Sequence, residues 1–224
     1  MGRLKGWLGE KKTALKMWIF LNKKRYRRFH NIIIPSTSGT TQIDHLVVSQ
    51  FGLFIIETKN KKGWIFGSAH QKMWTQSIYG NNYTFQNPVK QTYRQMKILS
   101  GFLNVKEDSI HPVIYFAGDC KFKTKLPSNV IRSRLSRYIK RFQKLVLSDE
   151  EVDQIVSILE KHQTKSDLTQ RDHIRSLKQR HQSKILCPKC GSQLVEREVH
   201  KGRHTGQRFL GCKRFPSCRF TRSL

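Results

Sequence analysis

The sequence predicts an α/β protein, an α+β sandwich in which one sheet carries helices on its faces. Three observations point there. Short apolar runs separated by turn residues crowd positions 31–80. Stretches with helical spacing flank them, at 8–23 and 87–103. A continuous apolar run, HPVIYFAG at 111–118, then follows as a buried strand would.

Taken in order, Leu8, Leu15, Trp18, Ile19 and Leu21 repeat at roughly helical spacing, and the charge run KKRYRR at 23–28 ends that helix. NIIIP at 31–35 is a strand stopped by Pro35, and STSGTT at 36–41 is polar and turn-rich. QIDHLVVSQFGLFIIETK at 42–59 reads as two apolar strands around a turn. GWIFG at 63–67 and HQKMWTQSIYG at 70–80 give further short strands. Asn87 with Pro88 at the first position opens the next helix, whose apolar side carries Val89, Met96, Leu99 and Leu103. Two more helices are expected at 131–147 and 149–160, the second apolar along Val152, Ile155, Val156 and Leu159. Residues 161–184 lose the periodicity and fill with Gln, Lys, Arg, Ser and His, a basic linker with some helix. The expected division is 1–160, a linker at 161–184, and a small unit at 185–224.

The 224 residues carry 43 Lys and Arg against 15 Asp and Glu, a net charge of +28. Such an excess repels itself in the folded state and calls for a polyanionic partner. Two acid-free basic runs, 11–28 and 121–144, suit a nucleic-acid-tracking surface. Apolar runs are too short to span a bilayer, and no small-residue cleavage site marks a signal peptide, so a cytoplasmic, nucleoid-associated protein without a membrane partner is expected. Five cysteines, four of them near the C-terminus, favour a reducing compartment and a metal site over a disulfide framework.

Charge interrupts the 42–59 hairpin at Asp44, Glu57 and Lys59. A turn at Gln50-Phe51, or over Ser49 to Gly52, pairs residues whose numbers sum to 101, which sets Asp44 opposite Glu57 on one face, about 5 Å apart. Lys59, two residues on, projects from the same face. Facing like charges in a half-buried sheet need a cation between them. A hard divalent ion would serve, and so would Lys59 itself in a salt bridge.

This hairpin resembles the catalytic core of the PD-(D/E)xK nuclease superfamily. More closely, GE at 9–10, TQIDHLVVSQFGLFIIETKNKKGWIFG at 41–67 and FQNPVKQ at 85–91 resemble the NERD, or nuclease-related, domain. The resemblance implies a restriction-endonuclease-like core and phosphodiester hydrolysis with Mg²⁺ or Mn²⁺. It implies that Asp44 and Glu57 hold the ion, that Lys59 is the catalytic lysine, and that Glu10 and Gln91 complete the site. Physically, the ion would polarise the phosphate and acidify a water, and Lys59 would offset transition-state charge. Glu10 has an alternative reading as a helix N-terminal acid, and Gln91 as a surface glutamine. By alternation His45 faces away from the site and packs. Trp64 and Trp74 are expected in the core.

In the tail, Cys187-x2-Cys190, a spacer of 21 residues and Cys212-x5-Cys218 suit one tetrahedral structural Zn²⁺. His200 and His204 are surplus to four thiolates, and Cys120 is a packing residue. CPKCGSQLVER and FLGCKRFPSCRFT resemble the C4 zinc finger of bacterial type IA topoisomerases, which implies a zinc ribbon on single-stranded DNA. Phe209, Phe215 and Phe220 alternate with Arg208, Lys213, Arg214, Arg219 and Arg222 as stacking and phosphate-tracking groups would, although each phenylalanine suits packing on the zinc knuckles equally. The reading is a metal-dependent DNA nuclease acting on single-stranded or branched DNA, with a non-catalytic DNA-binding adaptor as the alternative and the oligomeric state open.

Overall fold

The structure, a computed structural model, describes residues 13, 20–36, 39–166, 168–183, 185–188, 192–200, 202–216 and 218–224. Of the first expected helix, at 8–23, Thr13 and residues 20–23 fall within these; Thr13 and Phe20 are helical, whereas Leu21, Asn22 and Lys23 are not. The chain divides into two compact units, Met1–Ile32 with Gln42–Ser166, and Ile33–Thr41 with Asp167–Leu224.

Strands β1 (Arg27–Ser36), β2 (Gly39–Ser49), β3 (Gly52–Lys59), β7 (Ile110–Phe116) and β9 (Val130–Ile131) form a sheet in the order β1-β2-β3-β7-β9, of which the end of β1 from Ile33 and the start of β2 to Thr41 count with the second unit. β3 runs antiparallel to β2 and parallel to β7. It is buried on both faces, which is why GLFIIETK reads as nearly unbroken apolar sequence. A second sheet, order β6-β5-β4-β8, is built from β4 (Gly63–Phe66), β5 (Met73–Ile78), β6 (Asn81–Gln86) and β8 (Cys120–Phe122). The parallel pair β3 and β7 leads directly into the parallel pair β4 and β8. The two links meet closely: Ala117 N–H donates to Lys59 O at 3.0 Å and Gly63 N–H to Asp119 O at 3.0 Å. Only glycine fits at 118, because a Cβ there would collide with the Lys61 carbonyl.

Helix α1 (Pro88–Leu103) packs on β3 and β7. Asn87 caps it, its side chain accepting from Val89 N–H at 2.9 Å, with Pro88 just inside, as the sequence predicts. On the opposite sheet face Val47, Phe54, Ile56, Val113 and Tyr115 form a core with Leu135 and Ile139 of the short helix α2 (Leu135–Ile139). Helix α3 (Asp149–Lys165) opens with a Ser148–Glu151 capping box and buries Val152, Ile155 and Leu159; its His162 ring meets Phe102 edge-on at 5.0 Å.

Several expectations change. The single expected sheet is two, and the strand expected at 31–35 starts at Arg27 and passes through Pro35 to Ser36. The helix at 131–147 shrinks to five residues. Arg134 enters it at φ 55°, and beyond it Val146 and Leu147 N–H both donate to Gln50 O, drawing the chain across the β2–β3 turn instead of onward in a helix. β6 escaped sequence reading because NNYTFQ is polar; the Tyr79-Gly80 turn, both residues at positive φ, returns it onto β5 with Ile78 opposite Asn81. Part of STSGTT is strand, since β2 begins at Gly39.

The second unit holds helix α4 (Gln170–Gln182) within the segment read as linker, with a Thr169–Asp172 capping box. Ser176 Oγ accepts from Thr40 N–H at 2.8 Å, and His173 Nδ1 lies 2.9 Å from Thr40 Oγ1. The tail forms an antiparallel sheet β10 (Leu194–Glu198), β11 (Arg208–Cys212) and β12 (Thr221–Ser223), order β10-β11-β12.

Candidate functional site

The β2–β3 ladder runs from Ser49↔Gly52 to His45↔Ile56, the register that sums to 101. It opens one step beyond, at Asp44. There the Asp44 carboxylate takes over the role of a ladder carbonyl: Oδ2 accepts from Thr58 N–H at 3.1 Å. Alternation leaves Asp44, Glu57 and Lys59 on the face that α1 covers.

On that face the polar groups interlock. Lys59 Nζ donates to Glu57 Oε1 at 2.5 Å and to Gln91 Oε1 at 3.1 Å. Gln95, one turn beyond Gln91 on α1, donates Nε2 to Glu57 Oε2 at 3.0 Å and to Gln42 O at 2.9 Å. Glu57 is 3% exposed and therefore needs these partners, since an unpaired buried carboxylate is strongly disfavoured. Lys59 and Asp44 are half-buried, so the cluster opens to solvent at their end. It sits at the carboxyl ends of the parallel strands β3 and β7, where α/β sheets commonly bind ligands.

Sequence reading missed two residues here. Gln95 is one; its signal is the i, i+4 spacing from Gln91 on a helix that must cover the sheet. Its Oε1 is buried without a hydrogen-bond partner among the described residues. The other is Lys61, held 4.7 Å over the Phe85 ring. Burial first, and the Lys59 charge second, lower its pKa from the ordinary lysine value. Glu10 lies outside the described residues.

His45 faces away from the site, as expected. It is 2% exposed, with Nδ1 2.7 Å from His30 Nδ1. Burial, then the charge of His30, pushes its pKa down to about 3. Cys120 is buried and its thiol is pushed up to about 11 by desolvation, which suits a packing residue. Trp74 is fully buried, but Trp64 is 50% exposed, contrary to the expectation for it. Residue type suggested burial; the strand face it occupies decided otherwise.

In the tail, the sulfurs of Cys187, Cys212 and Cys218 are buried and lie within 4.8 Å of one another. Cys187 Sγ and Cys218 Sγ are 3.8 Å apart. Zn–S bonds of about 2.3 Å in a tetrahedron put sulfurs about 3.8 Å apart, so the cluster fits a structural zinc. Arg214 N–H points to Cys212 Sγ at 3.4 Å, and Cys218 N–H donates to Arg214 O at 2.9 Å, shaping the 212–218 loop as a knuckle. Cys190 lies outside the described residues. His200 and His204 are exposed and do not join the cluster. Phe220 packs on the cysteines, whereas Phe215 is 58% exposed with the Arg197 guanidinium 5.7 Å from its ring. Phe209 is half-buried; Lys213, Arg214 and Arg219 are exposed. Arg208 pairs with Glu196 at 3.2 Å on the surface.

A mixed sheet covered by a helix, with carboxylates and a lysine at its carboxyl end, and a separate ribbon built around a cysteine cluster are the features of a nuclease-related α/β protein with a zinc ribbon. The chain belongs to the nuclease-related domain (NERD) family, whose model matches residues 5–117. Residues 184–224 match the topoisomerase DNA-binding C4 zinc finger. Over 179 residues the chain is 30% identical to the uncharacterised protein pXO1-01 of Bacillus anthracis, covering 77% of this chain and 84% of that one. No solved structure matches. Together these make the chain a DNA-processing protein. Among the described residues no helix is long and apolar enough to cross a membrane.

Proposed function

We propose that this chain is a metal-dependent DNA nuclease whose zinc ribbon holds single-stranded or branched DNA. The observation that carries the reading is the Lys59 ammonium, fixed between Glu57 and Gln91 on the face shared with Asp44. A protein that only binds phosphate has no use for two carboxylates there.

The donors fit a hard divalent ion. Two carboxylates on one sheet face, with Asp44 half-buried and reaching solvent, are the oxygen donors such an ion takes. Asp44 and Glu57 would hold Mg²⁺ or Mn²⁺, which supplies polarisation of the phosphate and a more acidic water. Gln95 fixes the Glu57 carboxylate plane. Gln91 holds Lys59 in place, so that its ammonium stabilises the charge that develops on the phosphate oxygens. Lys61 adds positive potential beside it. Glu10 belongs to this site through the family resemblance. Cys190 is the fourth zinc ligand beside Cys187, Cys212 and Cys218, and the exposed Phe215 with Lys213, Arg214 and Arg219 engages the strand.

One observation favours a second reading, a DNA-binding adaptor: both Glu57 oxygens are already satisfied within the protein. Labelled single-stranded, duplex and branched DNA incubated with and without Mg²⁺ or Mn²⁺ separates the two. Cleavage that needs the ion and is lost in Asp44→Ala supports the nuclease; binding without cleavage supports the adaptor.

A further inference from the structure

The outer face of the second sheet has no part in the site above. Its inner face is core, with Ile65, Trp74 and Phe116. Across the four strands one row of the outer face reads Lys121, Trp64, Ser77, Asn82: a cation, an indole, a hydroxyl and an amide in register. Neighbouring strands lie about 4.8 Å apart, so the row spans about 14 Å. Trp64 is 50% exposed, and Lys123 Nζ stands 4.2 Å over its ring. Phe66 lies two residues along β4 on the same face. Beside Trp64 a cleft of about 580 Å³ is lined by Lys62, Tyr79 and Lys121, with one acid, Asp119, at its edge.

We infer that this face is a second nucleic-acid contact, on which one strand lies with a base stacked on Trp64 and its phosphates on Lys121 and Lys123. An exposed indole is costly to leave in water, and a flat ring flanked by ammoniums matches a base beside phosphates. The exposed ammonium–indole contact is weaker than a base stack, so the base takes the ring and Lys123 turns to the neighbouring phosphate. The charge of the chain, +28, selects a polyanion over an acidic-poor partner. Asp119 directs the phosphates toward the lysines. Trp64 follows Lys59 by five residues, at most about 18 Å of extended chain, so the two sites lie within the reach of one short strand.

The inference rests on nucleic acid as the partner and not on hydrolysis. Its test is therefore run on the zinc-loaded full chain in magnesium-free buffer without chelator, with a short oligothymidylate carrying a photoreactive base. Crosslinks should map to the peptide containing residues 63–66. Trp64→Ala should lose them and weaken binding about 5- to 150-fold, the equivalent of ~1–3 kcal/mol for one stacked base, with the salt slope unchanged. Trp64→Phe should retain both crosslink and affinity. Lys123→Ala should reduce the salt slope by roughly 0.7. Crosslinks confined to residues 185–224 overturn the inference, as does a Trp64→Phe chain that binds as weakly as Trp64→Ala.

Discussion

Gln95 donates Nε2 to Glu57 Oε2 at 3.0 Å and thereby fixes a buried carboxylate from the helix that covers it. The same amide nitrogen reaches Gln42 O, so Gln95 ties α1 to both β2 and β3. Its removal touches fold and chemistry together.

Gln95→Leu should therefore lower stability by about 1.5–3 kcal/mol, the range for a hydrogen bond to a charged group, because the buried Glu57 Oε2 loses its partner. Urea unfolding measures this. Cleavage at saturating Mg²⁺ should drop as well, whereas DNA affinity should hold; an unchanged unfolding midpoint would remove Gln95 from the account.

Lys59 supports a sharper separation. Lys59→Met leaves Glu57 buried without its cation and should destabilise by about 3 kcal/mol, the lower end for a broken buried pair because the Lys59 side chain is 19% exposed. Adding Glu57→Gln should restore most of that stability, since the buried charge is gone, while cleavage stays absent. Recovery of cleavage in the double variant would show that neither residue acts in the chemistry.

Much of this site was legible in the sequence, and the reason is geometric. Ser49 and Gly52 bound a two-residue turn, period-2 alternation then fixes the face of every later residue, and so Asp44, Glu57 and Lys59 could be grouped without a structure. Gln95 was not, because a glutamine in a helix reads as a surface residue until the buried carboxylate beneath it is known. Trp64 misled for a related reason: alternation says which residues share a face, but not which face is covered. The helix expected at 131–147 failed where the chain bonds to Gln50 O, a contact more than ninety residues away in sequence that no local pattern encodes.

The His30–His45 pair gives the fold a pH dependence. In the unfolded chain His45 protonates near its ordinary value of 6.5, while burial and His30 hold it down to about 3 in the fold. Its stabilising contribution is complete above about pH 6.5. It is lost as pH falls toward 3, because there only the unfolded state takes up the proton, at up to about 1.4 kcal/mol per pH unit. His45→Leu should shrink the stability loss between pH 6.5 and 5 by about 1.5 kcal/mol in urea titrations. Parallel pH profiles for wild type and variant would contradict this.

The cysteine cluster sets the last expectation. Purified without chelators, the chain should carry about one zinc, and Cys187→Ser with Cys212→Ser should carry none, as elemental analysis reads directly. Among the described residues the tail's apolar cluster around the sulfurs is Leu194, Leu210 and Phe220, so the ion would supply much of its folding free energy, on the order of 10 kcal/mol. Metal loss should then release Phe220 and Phe215 together, which separates them from a point substitution. Phe215→Ala should keep the zinc and still weaken oligothymidylate binding, by ~1–3 kcal/mol if a base stacks there, with the salt slope unchanged. Phe220→Ala should instead reduce zinc retention, because its ring packs on the cysteines. A Phe215→Ala chain with wild-type affinity and a full zinc complement would leave the ribbon without a stacking role, and the cations Lys213, Arg214 and Arg219 would then account for its hold on DNA through phosphates alone.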